Sequence, residues 1–153
     1  MSDALTQAEA ENPAGTPAPE RVTELVIDEK FIDGYGHVTY LGYPILFERE
    51  RARFMDGLGL GAETVDSLVP QYFVREMEIK YKRQVRQGDA VRILTRAERH
   101  TRFSIRYIQS IEIDEQTATQ FECVIALVGE NGQLFPIPEE ISSKLFPKNS
   151  ESD

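Results

Sequence analysis

One stretch decides the predicted fold: DGYGHVTYLGYPILFERER, which runs from Asp33 to Arg51. Its first eight residues contain two glycines and are typical of a loop. From Leu41 to Leu58 the apolar residues recur at helical spacing, and Gly57 and Gly59 favour an end to the helix there. The sequence therefore predicts a short loop that leads directly into a long helix.

The predicted helix is apolar on two sides. The first side is formed by Tyr43, Phe47, Phe54 and Leu58, the second by Leu41, Ile45, Ala52 and Met55, and a polar strip by Arg49, Arg53 and Asp56. A helix with two apolar sides has to be covered on both of them. A curved sheet that wraps around the helix would provide such a cover.

Strand-like segments flank this helix. One segment precedes the helix. Four more follow a loop at about 59–70, and in them apolar and polar residues alternate. The five segments are 22–32, 72–83, 90–98, 102–113 and 117–128. Short QGD, DEQ and GENG segments suit hairpin turns, and a short helix or irregular segment is expected after Pro138. This order predicts an α+β domain, in which an antiparallel sheet of about five strands wraps around one long central helix.

The composition bounds the class of protein. The chain has 153 residues, 41% of them hydrophobic, which suffices for one domain at residues 21–146 between predicted disordered tails at 1–20 and 147–153. The formal charge of −9 argues against a nucleic-acid partner, and no apolar run is long enough to span a membrane. Cys123 is the only cysteine, so we expect no disulfide, no metal and no other cofactor. The N-terminal residues do not resemble a signal peptide, which predicts a cytoplasmic protein.

The loop before the helix holds an acid, Asp33, and an imidazole, His37. The start of a helix presents unpaired backbone N–H groups and a partial positive charge, which can polarise a carbonyl and stabilise an oxyanion. A carboxylate beside such a carbonyl can act as a general base or as a nucleophile. Asp33 before Gly34 is equally typical of a turn residue that caps its own backbone, and His37 suits a packed loop residue. The residues alone leave both interpretations open.

The stretch resembles the signature of the 4-hydroxybenzoyl-CoA thioesterase-like hotdog family, which runs roughly D-x-x-G-H-V-x-x-x-x-Y-L-x-x-F-E-x-x-R. The positions in register are Asp33, Gly36, His37, Val38, Tyr43, Phe47, Glu48 and Arg51. The later Tyr81, Val85 and Gly88-Asp89 resemble the second strand of that family and its following turn. The resemblance implies a hotdog fold and a homodimer or homotetramer with active sites at the subunit interface.

The resemblance also implies an activity, the hydrolysis of an acyl-CoA, aroyl-CoA or acyl-carrier-protein thioester to a free acid and a thiol. In the family the acid at the position of Asp33 is the usual catalytic carboxylate, and the backbone N–H at Tyr40 points at the thioester carbonyl. Some hotdog thioesterases take their acid from the helix, which makes Glu48 the reserve candidate, and Glu48 can also pair with Arg51. His37 either orients the loop or a water molecule, or only packs.

Several positions depart from the family pattern. Thr39 and Tyr40 stand where many relatives have two asparagines, and Tyr35 stands where plant-type acyl-carrier-protein thioesterases have one. Glu50 stands where relatives often have a small residue, and it is expected either to be paired across an interface or to reach the substrate pocket. These departures leave room for an alternative function, a non-catalytic acyl-thioester-binding or pathway accessory protein.

Coenzyme A carries phosphates, which lysine and arginine bind well. The densest basic cluster is KYKRQVR at residues 80–86, and its candidates for substrate binding are Lys82, Arg83 and Arg86. Solvated charges on a strand edge are the alternative interpretation of these residues. The acyl chain is predicted to lie in an apolar cleft between helix and sheet. Most of the aromatic residues there are expected to be core, and the candidates to line the cleft are Phe31, Tyr43, Phe47, Phe54, Tyr72 and Phe73.

Overall fold

The computed structural model describes residues 20–28, 30 and 32–147, so most of both predicted tails lies outside the described residues. The strands are β1 (Arg21–Val26), β2 (Gln71–Tyr81), β3 (Ala90–Thr101), β4 (Ser104–Ile113) and β5 (Gln116–Val128). The helices are α1 (Gly42–Gly57), α2 (Ala62–Leu68) and α3 (Glu139–Leu145). The α+β prediction, with one long helix and five strands, is therefore confirmed.

All five strands belong to one antiparallel sheet with the order β1-β3-β4-β5-β2. Strands β3, β4 and β5 are joined by hairpins, and the turn between β4 and β5 places Asp114 and Glu115 at positive φ angles of 51° and 66°. Two consecutive left-handed residues match the right-handed twist of the flanking strands. β1 and β2 form the two edges, and each has one neighbour in the sheet.

The N-terminal half of α1 packs on the sheet through its first apolar side. Tyr43, Leu46 and Phe47 are buried there, and the ring of Phe47 stacks on the ring of Phe121 from β5 with 4.6 Å between centroids. Strands β3, β4 and β5 alternate buried and less buried residues, as the sequence predicts. The inward-facing residues Val91, Ile93, Ile111, Phe121 and Cys123 belong to the same core cluster.

A second core cluster lies toward the C-terminal end of α1. Phe54 meets Tyr107 of β4 edge to face at 6.4 Å, and Leu127, Ile141 and Leu145 belong to the same cluster. α3 therefore closes this end of the domain, and the helix expected after Pro138 is confirmed, with Pro138 as its N-cap.

Two predictions of local structure are wrong. The segment predicted as a loop at 59–70 contains α2, a helix of seven residues. The strand predicted at 22–32 ends at Val26.

The second apolar side of α1 is largely open in the described chain. Leu41 and Ile45 on this side are 60% and 53% exposed.

Glu50 is fully buried and pairs with Arg53 at 2.9 Å on its own helix, and it does not line the cavity described below, so its observed partner is neither of the two that the sequence predicted. No helix among the described residues is long and apolar enough to cross a membrane.

The stacked Phe47 and Phe121 rings predict a large stability effect. Phe47→Ala should lower the free energy of unfolding by about 3–5 kcal/mol, because it removes a fully buried ring and leaves a cavity. Tyr35→Ala is the control, since Tyr35 is 85% exposed and its loss should cost less than about 0.5 kcal/mol. Urea denaturation of the two variants measures both values, and equal losses would contradict the packing described here.

Candidate active site

The loop between β1 and α1 is fastened to the turn before β3 by backbone hydrogen bonds. The N–H of Val38 donates to the carbonyl of Val85 at 2.8 Å, and the N–H of Gln87 donates to the carbonyl of Gly36 at 3.2 Å. These bonds use main-chain atoms only. The 85–89 segment therefore helps to fix the position of the loop, together with the Val38 side chain, which is buried in the core.

The loop is closed tightly around Gly36. The N–H of Asp33 donates to the carbonyl of His37 at 2.8 Å, and the N–H of Gly36 donates to the carbonyl of Asp33 at 3.2 Å. Gly36 has a φ of +80°, a conformation that side-chain-bearing residues rarely adopt. The glycine thus allows the chain to return to Asp33 within four residues.

The Asp33 carboxylate is exposed and its Oδ1 atom is held by the loop. Oδ1 accepts the N–H of Tyr35 at 2.8 Å and the N–H of His37 at 3.1 Å. The hydrogen bond from the Tyr35 N–H is the main cause that holds the pKa of Asp33 below its usual range. The hydrogen bond from the His37 N–H and the electrostatic effect of the His37 ring also lower this pKa. Asp33 thus does cap its own turn. Among the described residues Oδ2 has no hydrogen-bond partner, so it remains open to water or a ligand.

The entrance to α1 offers a free backbone donor. Gly42 is the first helical residue, Leu41 is the N-cap, and no side chain caps this end. The Gly42 N–H donates to the carbonyl of Thr39 at 2.8 Å, whereas within the described part of the chain the Tyr40 N–H has no acceptor. A free N–H at the positive end of a helix suits a carbonyl oxygen. Tyr40 as a whole is 70% exposed.

His37 contributes to the loop mainly through its backbone. Its carbonyl and N–H both bind Asp33, and it forms an isolated β-bridge with Arg86. Its imidazole makes no hydrogen bond with the described residues. No group of three or more His, Cys, Asp or Glu residues in the described ranges is arranged to hold a metal ion.

Tyr43 and Phe47, predicted to line the acyl cleft, take structural positions. The Tyr43 hydroxyl accepts the N–H of Val85 at 3.4 Å, and its ring meets Tyr81 edge to face at 5.0 Å. Tyr43 thus supports the 85–89 segment that carries the loop. Phe47 has no exposed surface, so its predicted contact with a substrate has no support in this geometry.

A cavity of about 450 Å³ lies between α1 and strands β2, β4 and β5. Glu48 and Arg51 line it from the helix, and Tyr72, Tyr107 and Leu127 line it from the sheet. Of the aromatic residues predicted to line an apolar cleft, Tyr72 and Phe73 line this cavity, Tyr43, Phe47 and Phe54 do not, and Phe31 lies outside the described residues. Asp33 and Tyr40 are not among the lining residues either.

Glu48 and Arg51 do not form the ion pair that their spacing suggested. Glu48 is exposed at the cavity, while Arg51 is buried and donates from Nη1 to the Oε1 atom of Gln109 at 3.2 Å. The choice of partner follows from the sheet, because Gln109 lies on β4 far away in the sequence. Spacing along the helix alone does not reveal such a contact.

The basic segment lies on the same side of the fold as the loop. The N–H groups of Lys82 and Arg83 both donate to the carbonyl of Ala118, at 2.8 and 3.1 Å, and both side chains are exposed. Arg86 is also exposed, and its bridge with His37 brings it next to the loop. The structure thus places Arg86 beside His37, and Lys82 and Arg83 lie a few residues away along the chain.

Comparison with solved structures places the fold among thioesterases. A probable thioesterase from Bartonella henselae is 25% identical, with a TM-score of 0.69 over 78% of this chain and 100% of the other. A 1,4-dihydroxy-2-naphthoyl-CoA thioesterase from Synechocystis is 11% identical, with a TM-score of 0.75 over 83% and 96%. A Staphylococcus aureus protein solved in complex with CoA is 16% identical, with a TM-score of 0.73 over 84% and 83%. These likenesses confirm the predicted hotdog fold.

Comparison with curated proteins finds no match. A profile of the Thioesterase-like superfamily matches residues 29–145, which include the loop, α1 and all strands except β1. The match covers well over half of the chain, and it includes every candidate residue of the site. The chain therefore belongs to the Thioesterase-like superfamily.

Proposed function

We propose that this protein hydrolyses a CoA thioester of an acyl or aroyl group, with Asp33 as its catalytic carboxylate. One observation carries the proposal: the exposed Asp33 carboxylate lies in the loop that leads into α1, and the Tyr40 N–H before the positive end of this helix has no acceptor among the described residues. Acyl transfer needs this pairing of an acid with an oxyanion donor.

In the proposed reaction the thioester carbonyl oxygen accepts the Tyr40 N–H. The helix end then stabilises the negative charge that develops on this oxygen. Asp33 either takes a proton from a water molecule that attacks the carbonyl carbon, or attacks that carbon itself to form an anhydride that water hydrolyses. The C–S bond breaks, its electron pair stays on sulfur, and the thiolate is protonated. Both routes yield the free acid and the thiol.

The low pKa of Asp33 has two consequences for this chemistry. The carboxylate is ionised at neutral pH, so no other base has to activate it. A carboxylate with a lowered pKa is also a weaker base. A bound substrate that excludes water from the exposed side chain would raise this pKa toward a more useful range.

The proposed thioester is one of coenzyme A. Lys82, Arg83 and Arg86 are exposed beside the loop and would bind its phosphates. One structural neighbour is described in complex with CoA, and others are named thioesterases of 1,4-dihydroxy-2-naphthoyl-CoA and gentisyl-CoA. The cavity beside Glu48 would receive the acyl or aroyl group.

We also propose that the protein acts as a homodimer or homotetramer assembled through β2. This edge strand has no neighbour on one side and exposes five large apolar side chains, those of Tyr72, Phe73, Val74, Met77 and Tyr81. An open apolar edge of this kind binds another strand readily. Pairing with a second copy would cover this edge. It would also place the second chain beside the cavity of the first, which the Asp33 loop of the first chain does not line.

Asp33→Asn should lower kcat/KM for acyl-CoA hydrolysis by about 10²–10⁴-fold, because it removes the charge while keeping the oxygen that caps the turn. Asp28→Asn is a matched control, since Asp28 is exposed and its Oδ1 likewise accepts an N–H two residues later, that of Lys30 at 3.0 Å. The measurement is thiol release from a panel of acyl- and aroyl-CoA substrates.

Two outcomes of this experiment would change the assignment. If Asp33→Asn keeps full activity and Glu48→Gln loses it, the catalytic acid is Glu48 on the helix. Tight binding of acyl-CoA by the unaltered protein without thiol release would favour the non-catalytic accessory protein.

Met77→Lys should dissociate the assembly, because it places a charge on the apolar edge of β2. The unaltered protein should have two or four times the chain mass of 17.4 kDa, and the variant should have the mass of one chain. Leu134→Lys is the control, since Leu134 is also exposed but lies outside the named strands. Analytical ultracentrifugation measures the masses, and a monomeric unaltered protein would contradict the proposal.

A further inference from the structure

Arg51 is a buried cation in the wall of the cavity between α1 and the sheet. Its residue is 7% exposed, and it is the basic residue among those that line the cavity. The other walls are mainly apolar, with Met55, Tyr72, Phe73 and Ile125 among them. A charge in such surroundings is costly unless an opposite charge or several hydrogen bonds compensate it.

Buried charges elsewhere in the described chain have counter-ions, and Arg51 does not. The charged residues that are buried are Glu50, Arg51 and Glu98. Glu50 pairs with Arg53 at 2.9 Å, and Glu98 pairs with both Arg96 and Arg106 at 3.5 Å. Among the described residues no carboxylate lies within ion-pair distance of Arg51. The structure therefore leaves one buried positive charge without a balancing negative one.

The Arg51 guanidinium has hydrogen-bonding capacity to spare. One of its five N–H groups is used, from Nη1 to Gln109 Oε1 at 3.2 Å. The group also lies near the rings of Tyr107 and Phe121, at 5.9 and 5.6 Å from their centroids. No unpaired nitrogen of Arg51 is sealed from solvent within the described structure, so its remaining donors reach open space.

The guanidinium is also held in place. Gln109 donates from Nε2 to the carbonyl of Phe47 at 3.0 Å and to the hydroxyl of Thr95 at 3.1 Å. These two bonds fix the orientation of the amide, so its Oε1 atom has to face Arg51. A preorganised guanidinium loses little freedom when it binds a planar anion with two parallel hydrogen bonds.

We propose that Arg51 binds a carboxylate at the far end of the acyl group, so that the substrates are CoA thioesters of dicarboxylic acids. The inference rests on the proposed function, and it adds the class of acid that the cavity selects. Glu48 and Asp56 also line the cavity, but both are exposed, so water and salt screen their repulsion of an anionic ligand. The buried cation is not screened in this way, and a carboxylate is the partner that it lacks.

The test compares thioesters of equal chain length. Glutaryl-, adipoyl- and suberoyl-CoA are assayed against valeryl-, hexanoyl- and octanoyl-CoA, and ω-hydroxyhexanoyl-CoA is included to separate charge from hydrogen bonding. For at least one pair, kcat/KM should favour the dicarboxylic substrate by about tenfold or more. Arg51→Met should abolish that preference, and Arg51→Lys should restore part of it. Arg102→Met is the control, because this exposed arginine lies between β3 and β4, outside the cavity lining.

Each failure has a separate meaning. Three results would each overturn the inference while leaving hydrolysis intact. They are equal rates for both members of every pair, an equal gain with the hydroxylated substrate, and a preference that survives Arg51→Met. If no thioester is hydrolysed, the proposed function fails, and equilibrium dialysis then decides the inference. Intact adipoyl- and suberoyl-CoA should bind more tightly than hexanoyl- and octanoyl-CoA, and Arg51→Met should remove that difference; no difference in the unaltered protein would refute the inference.

Discussion

The whole arrangement depends on how α1 is fastened to the sheet. The stacked rings of Phe47 and Phe121 provide the apolar part of this contact, and Gln109 provides the polar part through its bond to the Phe47 carbonyl. A sheet side chain that binds a main-chain atom in the middle of a helix sets the helix in one position along the sheet. The N-terminal end of α1 then meets the Asp33 loop, and Arg51, one turn beyond Phe47, meets the cavity.

The sequence predicted the elements whose pattern is local. Alternation along β4, with Ile105, Tyr107, Ile111 and Ile113 directed inward, predicted a strand correctly. α2 was missed because its seven residues are fewer than the roughly 11 or more over which apolar periodicity is read. The second apolar side of α1 was identified correctly from its residues, and in the described chain it is largely open.

The candidate site was predictable in its position and less so in its chemistry. The motif around Asp33 and Gly36 placed an acid beside the start of a helix, and the structure has that arrangement. Asp33 uses one carboxylate oxygen to cap its turn, and the other oxygen has no partner among the described residues. This difference depends on the geometry of the loop, which a sequence motif does not contain. The environment of Arg51 depends on Gln109 and Tyr107, both from β4, so no spacing within the helix predicted it.

In the proposed reaction a carbonyl bound at the Tyr40 N–H is attacked with the help of Asp33. The most direct test is a crystal structure of the protein with an acyl-CoA analogue in which a methylene group replaces the thioester sulfur. We predict that the carbonyl oxygen lies about 3 Å from the Tyr40 nitrogen, with Asp33 Oδ2 facing the carbonyl carbon or a water molecule beside it. A carbonyl that lies against Glu48, with no contact to the Tyr40 N–H, would contradict it.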